Sequence, residues 1–417
     1  MKKLLSTCAI ISALSISTNA FEFGYMGNRS FGMGGAGVGI ANSAWGLYYN
    51  PALQGVDNRF KVGYSFGARV KEHGLSEIKN FNLGAISKDS INTINSLLGD
   101  NEVALTSENG LVLQVPLTVS ARLSHSIGVG LFYTKRSAVN FTGYISNGNN
   151  GAGGGGGGNG TPIDISSANH AFMVTNTLDT LEIPLSYTMQ VYTGGFGTFH
   201  AGIALKYIYA GHSSSKIKLT KDTNIANPFS DIFKSPTGAR TNTAGIDIGL
   251  AYALPNEWLV IGIVGKNLNS PVLKAQRLVD TKGALANNDK LKMDAQYRLG
   301  ISTRAIPMTT LAMDFDLKPN YEFGGFNTKV DSTANPVIRR QVQYISFGAM
   351  LNAGLLDLRL GASKDIKEKN ANDGWLFSAG VGFGYFDFAF FTGTKMSKAV
   401  KNIPQEFGFK LGGSFSF

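Results

Sequence analysis

"EFGFKLGGSFSF", Glu406 to Phe417, closes the chain. Phe407, Phe409, Leu411, Phe415 and Phe417 share one side of an extended backbone with Gly413, while Gly408, Lys410, Gly412, Ser414 and Ser416 share the other. Successive side chains alternate across a strand, so this reads as a strand with one apolar and one polar face. The alternation returns upstream. In "LVLQVPLTVSARL", Leu111, Leu113, Val115, Leu117, Val119 and Leu123 oppose Gln114, Pro116, Thr118, Ser120 and Arg122. In "LAMDFDLK", Leu311, Met313, Phe315 and Leu317 oppose Asp314, Asp316 and Lys318, and in "LDLRLGAS", Leu356, Leu358 and Leu360 oppose Asp357 and Arg359.

Such strands suit either a soluble sandwich with apolar faces inward or a membrane barrel with apolar faces outward. The connections decide between them. The pattern predicts fourteen strands, near 59–70, 111–123, 127–142, 180–192, 197–210, 244–254, 259–268, 295–305, 309–318, 343–352, 355–364, 375–384, 386–394 and 406–417. Links after odd strands are mostly long (71–110, 143–179, 211–243, 269–294, 319–342), whereas those after even strands are as short as "TGGF", "PNEW" and "AG". Outer-membrane barrels have this asymmetry, with tight turns at one end and long loops at the other. Backbone in hydrocarbon must pair internally, so the sheet must close. Trp45, Trp258 and Trp375 are expected to anchor membrane interfaces if they fall near strand ends.

The other end of the chain agrees. "MKKLLSTCAIISALSISTNA" has two lysines, an apolar run from Leu4 to Ile16 and a small-residue end, the layout of a secretory signal over 1–20. Cys8, the only cysteine, lies inside it, so the mature chain is expected to carry no disulfide. Composition fits an all-β protein: 52 Gly, 27 Phe and 15 Tyr with 16% charged residues, against an average glycine usage of about 7%. The formal charge of +10 falls by two when Lys2 and Lys3 leave with the signal, and the remaining basic residues form no stripe of the kind that binds nucleic acid. His73, His125, His170, His200 and His212 have no metal-ligand spacing, and neither GxSxG nor HExxH occurs. No enzyme, metal or cofactor is expected.

One motif argues for a different fold. "GMGGAGVGIANSAWGLYYNPA", Gly32 to Ala52, contains GxGxxG at Gly32, Gly34 and Gly37, with Asp57 twenty positions later. In a dinucleotide site a buried strand would run into the glycines and a helix would follow them. Here only "FEFGYMGNRSF" separates them from the signal, and it is not a Val/Ile-rich strand.

The same stretch, continued through Leu53, resembles the N-terminal segment of the FadL/TodX family of outer-membrane transporters for hydrophobic compounds, and of the related conjugal transfer TraF-like family. "YFDFAFF", Tyr385 to Phe391, is similar to the penultimate strand of those families, and "IPQEFGFKLGGSFSF" to their closing strand. The terminal Phe417 resembles the signal by which such barrels are handed to the bacterial assembly machinery. The resemblance implies a 14-stranded antiparallel transmembrane β-barrel over 59–417, with a plug segment over 21–58 folded into its lumen. Gly32, Gly34, Gly35, Gly37, Asn50, Pro51 and Ala52 would be the plug motif. It further implies the outer membrane of a Gram-negative bacterium, contact with outer-membrane lipid, and passive uptake of fatty-acid-like or aromatic hydrocarbon ligands. The alternative is a plugged barrel serving conjugation, secretion or surface assembly. In the family the ligand leaves sideways through a distorted strand, yet the third strand, "SIGVGLFYTKRSAVNF", has Gly128 and Gly130 but no proline or evident kink.

On this phasing Lys61, Arg69, Arg122, Lys206, Arg298, Arg304, Arg359 and Lys410 point into the lumen, with Glu182, Asp247, Asp314, Asp316 and Asp357. They either pair across the barrel and hold the plug, or some of the basic ones (Arg122, Lys206, Arg298, Arg359, Lys410) receive an acidic ligand head group. Under the second reading, removing Arg122 and Arg359 weakens uptake without unfolding the barrel. "SNGNNGAGGGGGGNG", Ser146 to Gly160, reads as a flexible surface tract. Ala85 to Asp100 carries Ile91, Ile94, Leu97 and Leu98 at helical spacing, either as a short helix on the loop base or as part of an apolar outer platform.

Overall fold

The structure, a computed structural model, describes residues 22–73, 102–117, 123–142, 172–218, 236–278, 285–323, 341–368, 373–397 and 403–417. The signal, Arg122, the 85–100 stretch and the glycine tract lie outside these residues. Fourteen antiparallel strands close into a barrel. In chain order they are β1 Lys61–His73, β2 Glu102–Leu117, β3 His125–Thr142, β4 Phe172–Gly194, β5 Gly197–Lys218, β6 Ala239–Ala253, β7 Leu259–Lys266, β10 Gln296–Thr303, β11 Thr309–Asp316, β14 Tyr344–Ala353, β15 Leu356–Asp365, β16 Trp375–Phe383, β17 Phe386–Gly393 and β18 Glu406–Ser416. Each pairs with its neighbours in that order, and β1 closes on β18 in register from Lys61↔Ser416 to Lys71↔Glu406.

The alternation that predicts the strands is carried through to the two faces. Phe409 and Leu411 are about half exposed on the outer wall, whereas Lys410 between them is 1% exposed. Tight turns gather at one end, where Gly354 and Gly384 take positive φ as the first residue of two-residue hairpin turns. Trp258 is exposed at that end and Trp375 begins β16 at the other. Trp45 is no interface anchor: it is 1% exposed and packs on Phe132 inside the barrel. Arg304 also departs from expectation. It follows the end of β10 and pairs with Glu257 in a turn at 3.2 Å, half exposed rather than lumenal.

Two stretches read as loops carry further strands. β8 Val272–Leu278 and β9 Leu285–Lys292 form one hairpin, and β12 Asn320–Tyr321 pairs with β13 Gln341–Val342. The "LANNDKLK" of β9 has no amphipathic alternation to reveal it. β3 is continuous, as its sequence indicates. Two ladders are interrupted: β3–β4 at Gly130–Leu131 opposite Ile183–Pro184, where the proline has no N–H to give, and β1–β2 at Phe66–Gly67 opposite Glu108–Asn109. Side chains bridge the second gap: Gly67 N donates to Asn109 Oδ1 (3.2 Å) and Ser107 Oγ donates to Gly67 O (3.1 Å). A buried backbone group left unpaired would be costly, and these two contacts prevent it.

Candidate functional site in the barrel lumen

A barrel of roughly eight strands is filled by its own side chains, while about sixteen leave a channel. Fourteen leave space that side chains alone do not close. Residues 22–58 occupy it: they touch inward-facing residues of β1, β2, β4, β5, β10, β11, β15, β16 and β18, on opposite sides of the ring. The segment has only short helical turns, α1 Asn28–Gly32, α2 Gly46–Tyr49 and α3 Leu53–Val56, so its backbone groups need partners from the wall.

The wall supplies them with inward polar side chains. Asp314 Oδ2 accepts from Gly37 N (2.8 Å) and Val38 N (3.0 Å). Ser378 Oγ accepts from Gly34 N and donates to Gly32 O, and Ser302 Oγ donates to Gly39 O. Thr188 Oγ1 donates to Pro51 O at 2.6 Å. Asn50, fully buried, donates through Nδ2 to Val38 O and Leu250 O while its Oδ1 accepts from Ala52 N. Gln114 Nε2 lies within hydrogen-bond distance of three carbonyls where the segment enters β1: Gln54, Asp57 and Arg59.

Close approach requires missing side chains on both partners. A Cβ at Gly202 would stand 2.6 Å from Pro51 C and Ala52 N, and one at Gly300 would stand 2.7 Å from Gly39 N. At Gly361 it would collide with Met33 and Gly34. Inward glycines therefore make a belt around the segment. In the segment itself Gly34 and Gly35 take positive φ, which only glycine adopts freely.

The charges form local sets. Lys206 lies 3.0 Å from Asp247 and 3.2 Å from Glu182, and Arg298 is 2.6 Å from Asp316. Arg359 contacts Asp387 and Asp357, and Lys410 lies 3.4 Å from Glu108. Arg69 contacts Glu22, Arg29 lies 3.3 Å from Asp357, and Tyr25 N donates to Glu108. At the base of β1, Asp57 binds Arg59 (2.7 Å) and Lys61 (3.1 Å), and Lys61 Nζ donates to Ala41 O. Burial alone would raise the Asp57 carboxyl, but hydrogen bonds from Arg59 and the charge of Lys61 hold it below the usual aspartate value.

Apolar groups also face inward. Phe23, Tyr48, Tyr49 and Phe132 pack together, with the Lys266 ammonium 3.6 Å from the Tyr48 ring centroid and the Arg298 guanidinium 4.0 Å from that of Phe23. Nearer the long loops, the β8–β9 hairpin lays Leu273, Leu291 and Met293 against inward Leu178 and Ile208, beside Phe323. Among the described residues no group of three His, Cys, Asp or Glu is placed to hold a metal ion.

With this geometry in place, comparison with known proteins is informative. A family model described as "F plasmid transfer operon, TraF, protein" matches residues 89–316, more than half of the 417 residues. The chain belongs to this TraF family. Solved structures resemble the TraF-family chain over nearly its whole length. The Pseudomonas putida toluene transporter TodX is 14% identical over 95% of this chain and 99% of its own, with a TM-score of 0.53. The Ralstonia pickettii toluene transporter TbuX is 14% identical over 94% and 98%, with a TM-score of 0.51. A Pseudomonas aeruginosa FadL homologue is 10% identical over 96% and 99%, with a TM-score of 0.50. These likenesses establish the shared barrel fold of the TraF-family chain. No curated protein matches it.

Of the residues singled out from sequence, the plug-motif glycines and Asn50-Pro51-Ala52 come together in the lumen, and Lys206, Arg298, Arg359 and Lys410 surround them. Phe417 is exposed at the turn end, its N–H on Phe60 O. Sequence reasoning missed the wall glycines, Gln114, Ser302 and Ser378 as segment contacts. Their signal is present: each occupies an inward position of an alternating strand.

Proposed function

We propose that this chain is an outer-membrane channel for passive uptake of hydrophobic small molecules, fatty-acid-like or aromatic, in a Gram-negative bacterium. Residues 1–20 serve as the export signal, 21–58 as the plug, and Phe417 as the assembly signal read by the barrel-assembly machinery. The observation that carries this reading is an apolar patch on the inner wall toward the long loops, set among polar inward residues. Leu178 and Ile208 face inward there, where lipid cannot reach them, and pack on the β8–β9 hairpin and Phe323. An inward apolar surface serves a hydrophobic cargo, whereas a polar solute channel has polar walls. The toluene transporters and FadL homologue that share the fold support the same class of cargo.

In this reading the lumenal cations hold the plug. Lys206, Arg298, Arg359 and Lys410 each already face a carboxylate, so a ligand head group would have to displace an existing partner. Catalysis has no part in it. The test is mass spectrometry of organic extracts from protein purified out of the membrane, with uptake of labelled oleate and toluene by cells carrying or lacking the gene. Retained hydrophobic ligand and gene-dependent uptake of either probe are expected; absence of both would overturn the reading.

The family description favours a second reading, since it names a plasmid transfer operon. A plugged barrel in an assembly role would co-purify stoichiometrically with envelope proteins and leave uptake of both probes unchanged.

A further inference from the structure

The outer wall across β10, β11, β14 and β15 is indented by a groove of about 540 Å³. Its shape follows from the register. Leu311 lies opposite Ala349, which lies opposite Leu360; in the next row Met313 lies opposite Phe347, and Phe347 opposite Ala362. Bulky residues thus form the rim, and the two alanines form the floor. Behind the floor the inward positions are Gly348 and Gly361, paired across β14 and β15, because Met33 and Gly34 press against the wall there. At this point the sheet is one backbone thick with a methyl group outside.

We propose that this groove seats one acyl chain of a membrane lipid, an inference that rests on the reading that the barrel spans a membrane. Chemistry selects the occupant. No charged side chain lines the groove, so it recognises a hydrocarbon chain and ignores the head group. Thr303, the one hydroxyl at its edge, is already committed to Trp258 O, and the Ser302 hydroxyl points inward to Gly39 O. A lipid-facing indentation must be filled from the bilayer, and a chain lying in it regains the dispersion contacts that the thin wall does not supply. The volume lies within the roughly 300 to 1,000 Å³ of small-molecule sites. The site is separate from the lumen, since Met33 and Gly34 close the wall from inside.

The experiment is native mass spectrometry of the full mature protein extracted from membranes in mild detergent. Wild type is expected to retain one phospholipid, and A349F/A362F, which fills the floor, to lose most of that population. Ala201→Phe, on the outward face of distant β5, is expected to retain it. Heat-modifiable gel migration confirms that each variant remains a barrel. If the double variant does not fold, Ala349→Leu carries the same expectation at smaller amplitude. Wild type without a retained phospholipid, or a folded groove variant holding as much as wild type, would overturn the proposal. A chain recovered in the soluble periplasm would instead overturn the membrane reading beneath it.

Discussion

Gly37 and Val38 give Asp314 what a phosphate takes from a glycine-rich loop, two adjacent backbone N–H groups. The letters of the nucleotide fingerprint therefore keep part of their physical meaning, with the anion supplied by the barrel wall. Asp57, in the place of the ribose-binding acid, anchors Arg59 and Lys61 at the start of β1. Its carboxyl is held lower in the folded protein than in the unfolded chain. Such a group contributes stability above its unfolded value, about 4, that is lost as pH falls through the folded value. Asp57→Asn is expected to lower the melting temperature at pH 7, because buried Lys61 loses its ion pair. The gap from wild type should narrow as pH falls below the unfolded value and close once it has passed below the lower folded value, where the aspartate is protonated and both side chains are neutral. Melting curves followed by heat-modifiable migration from pH 7 to pH 2.5 check this, and a gap constant with pH would count against the assignment.

The barrel strands are legible because each alternates, and an apolar outer wall around a polar lumen enforces a period of two. The limits appear where that constraint stops. β2, β4, β5 and β6 begin or end beyond their predicted limits, in stretches such as "FMVTNTLD", where both faces are buried and no longer contrast. β8 and β9 are invisible for the same reason: they pack on inward residues of β4, β5 and β6, away from the apolar outer wall. Position suggests a task for that hairpin. It covers inward Leu178 and Ile208, so cargo reaching the lumen on this route must move it. Lys274 N donates to Thr241 Oγ1 of β6 at 2.6 Å, which places the two backbones within disulfide reach. Cys8 is the chain's only cysteine and lies in the predicted signal, so T241C/K274C would form its bridge without competition. Oxidised, this variant is expected to lose uptake of oleate and toluene by an order of magnitude, with reductant restoring it; full uptake while oxidised would show that the hairpin need not move.

At the scale of the molecule, one covalent feature ties the parts together: the lumenal segment runs directly into β1, the strand that closes the ring against β18. Its presence in the lumen was expected only from the resemblance carried by Gly32 to Leu53. Nothing in its composition says that Gly202, Gly300 and Gly361, far apart in sequence, would form its socket. That information lies in the register of strands, which fixes inward glycines at one level of the barrel. Because strand pairing and not the segment closes the wall, the ring should survive its loss. Deleting 22–56 while keeping the signal is therefore expected to leave a heat-modifiable barrel. The lumen would then hold unshielded charge: Arg298, Asp314 and Arg359 would line a water-filled passage. Single-channel recording in planar bilayers should show conductance rising by an order of magnitude or more over wild type, with uptake losing its preference for hydrophobic solutes. Restoring the segment with Gly361→Leu in the wall should give an intermediate conductance, since the new side chain displaces Met33 and Gly34 without removing the rest. If the deletion conducts no better than wild type, residues 22–58 do not block the lumen, and the β8–β9 hairpin becomes the barrier.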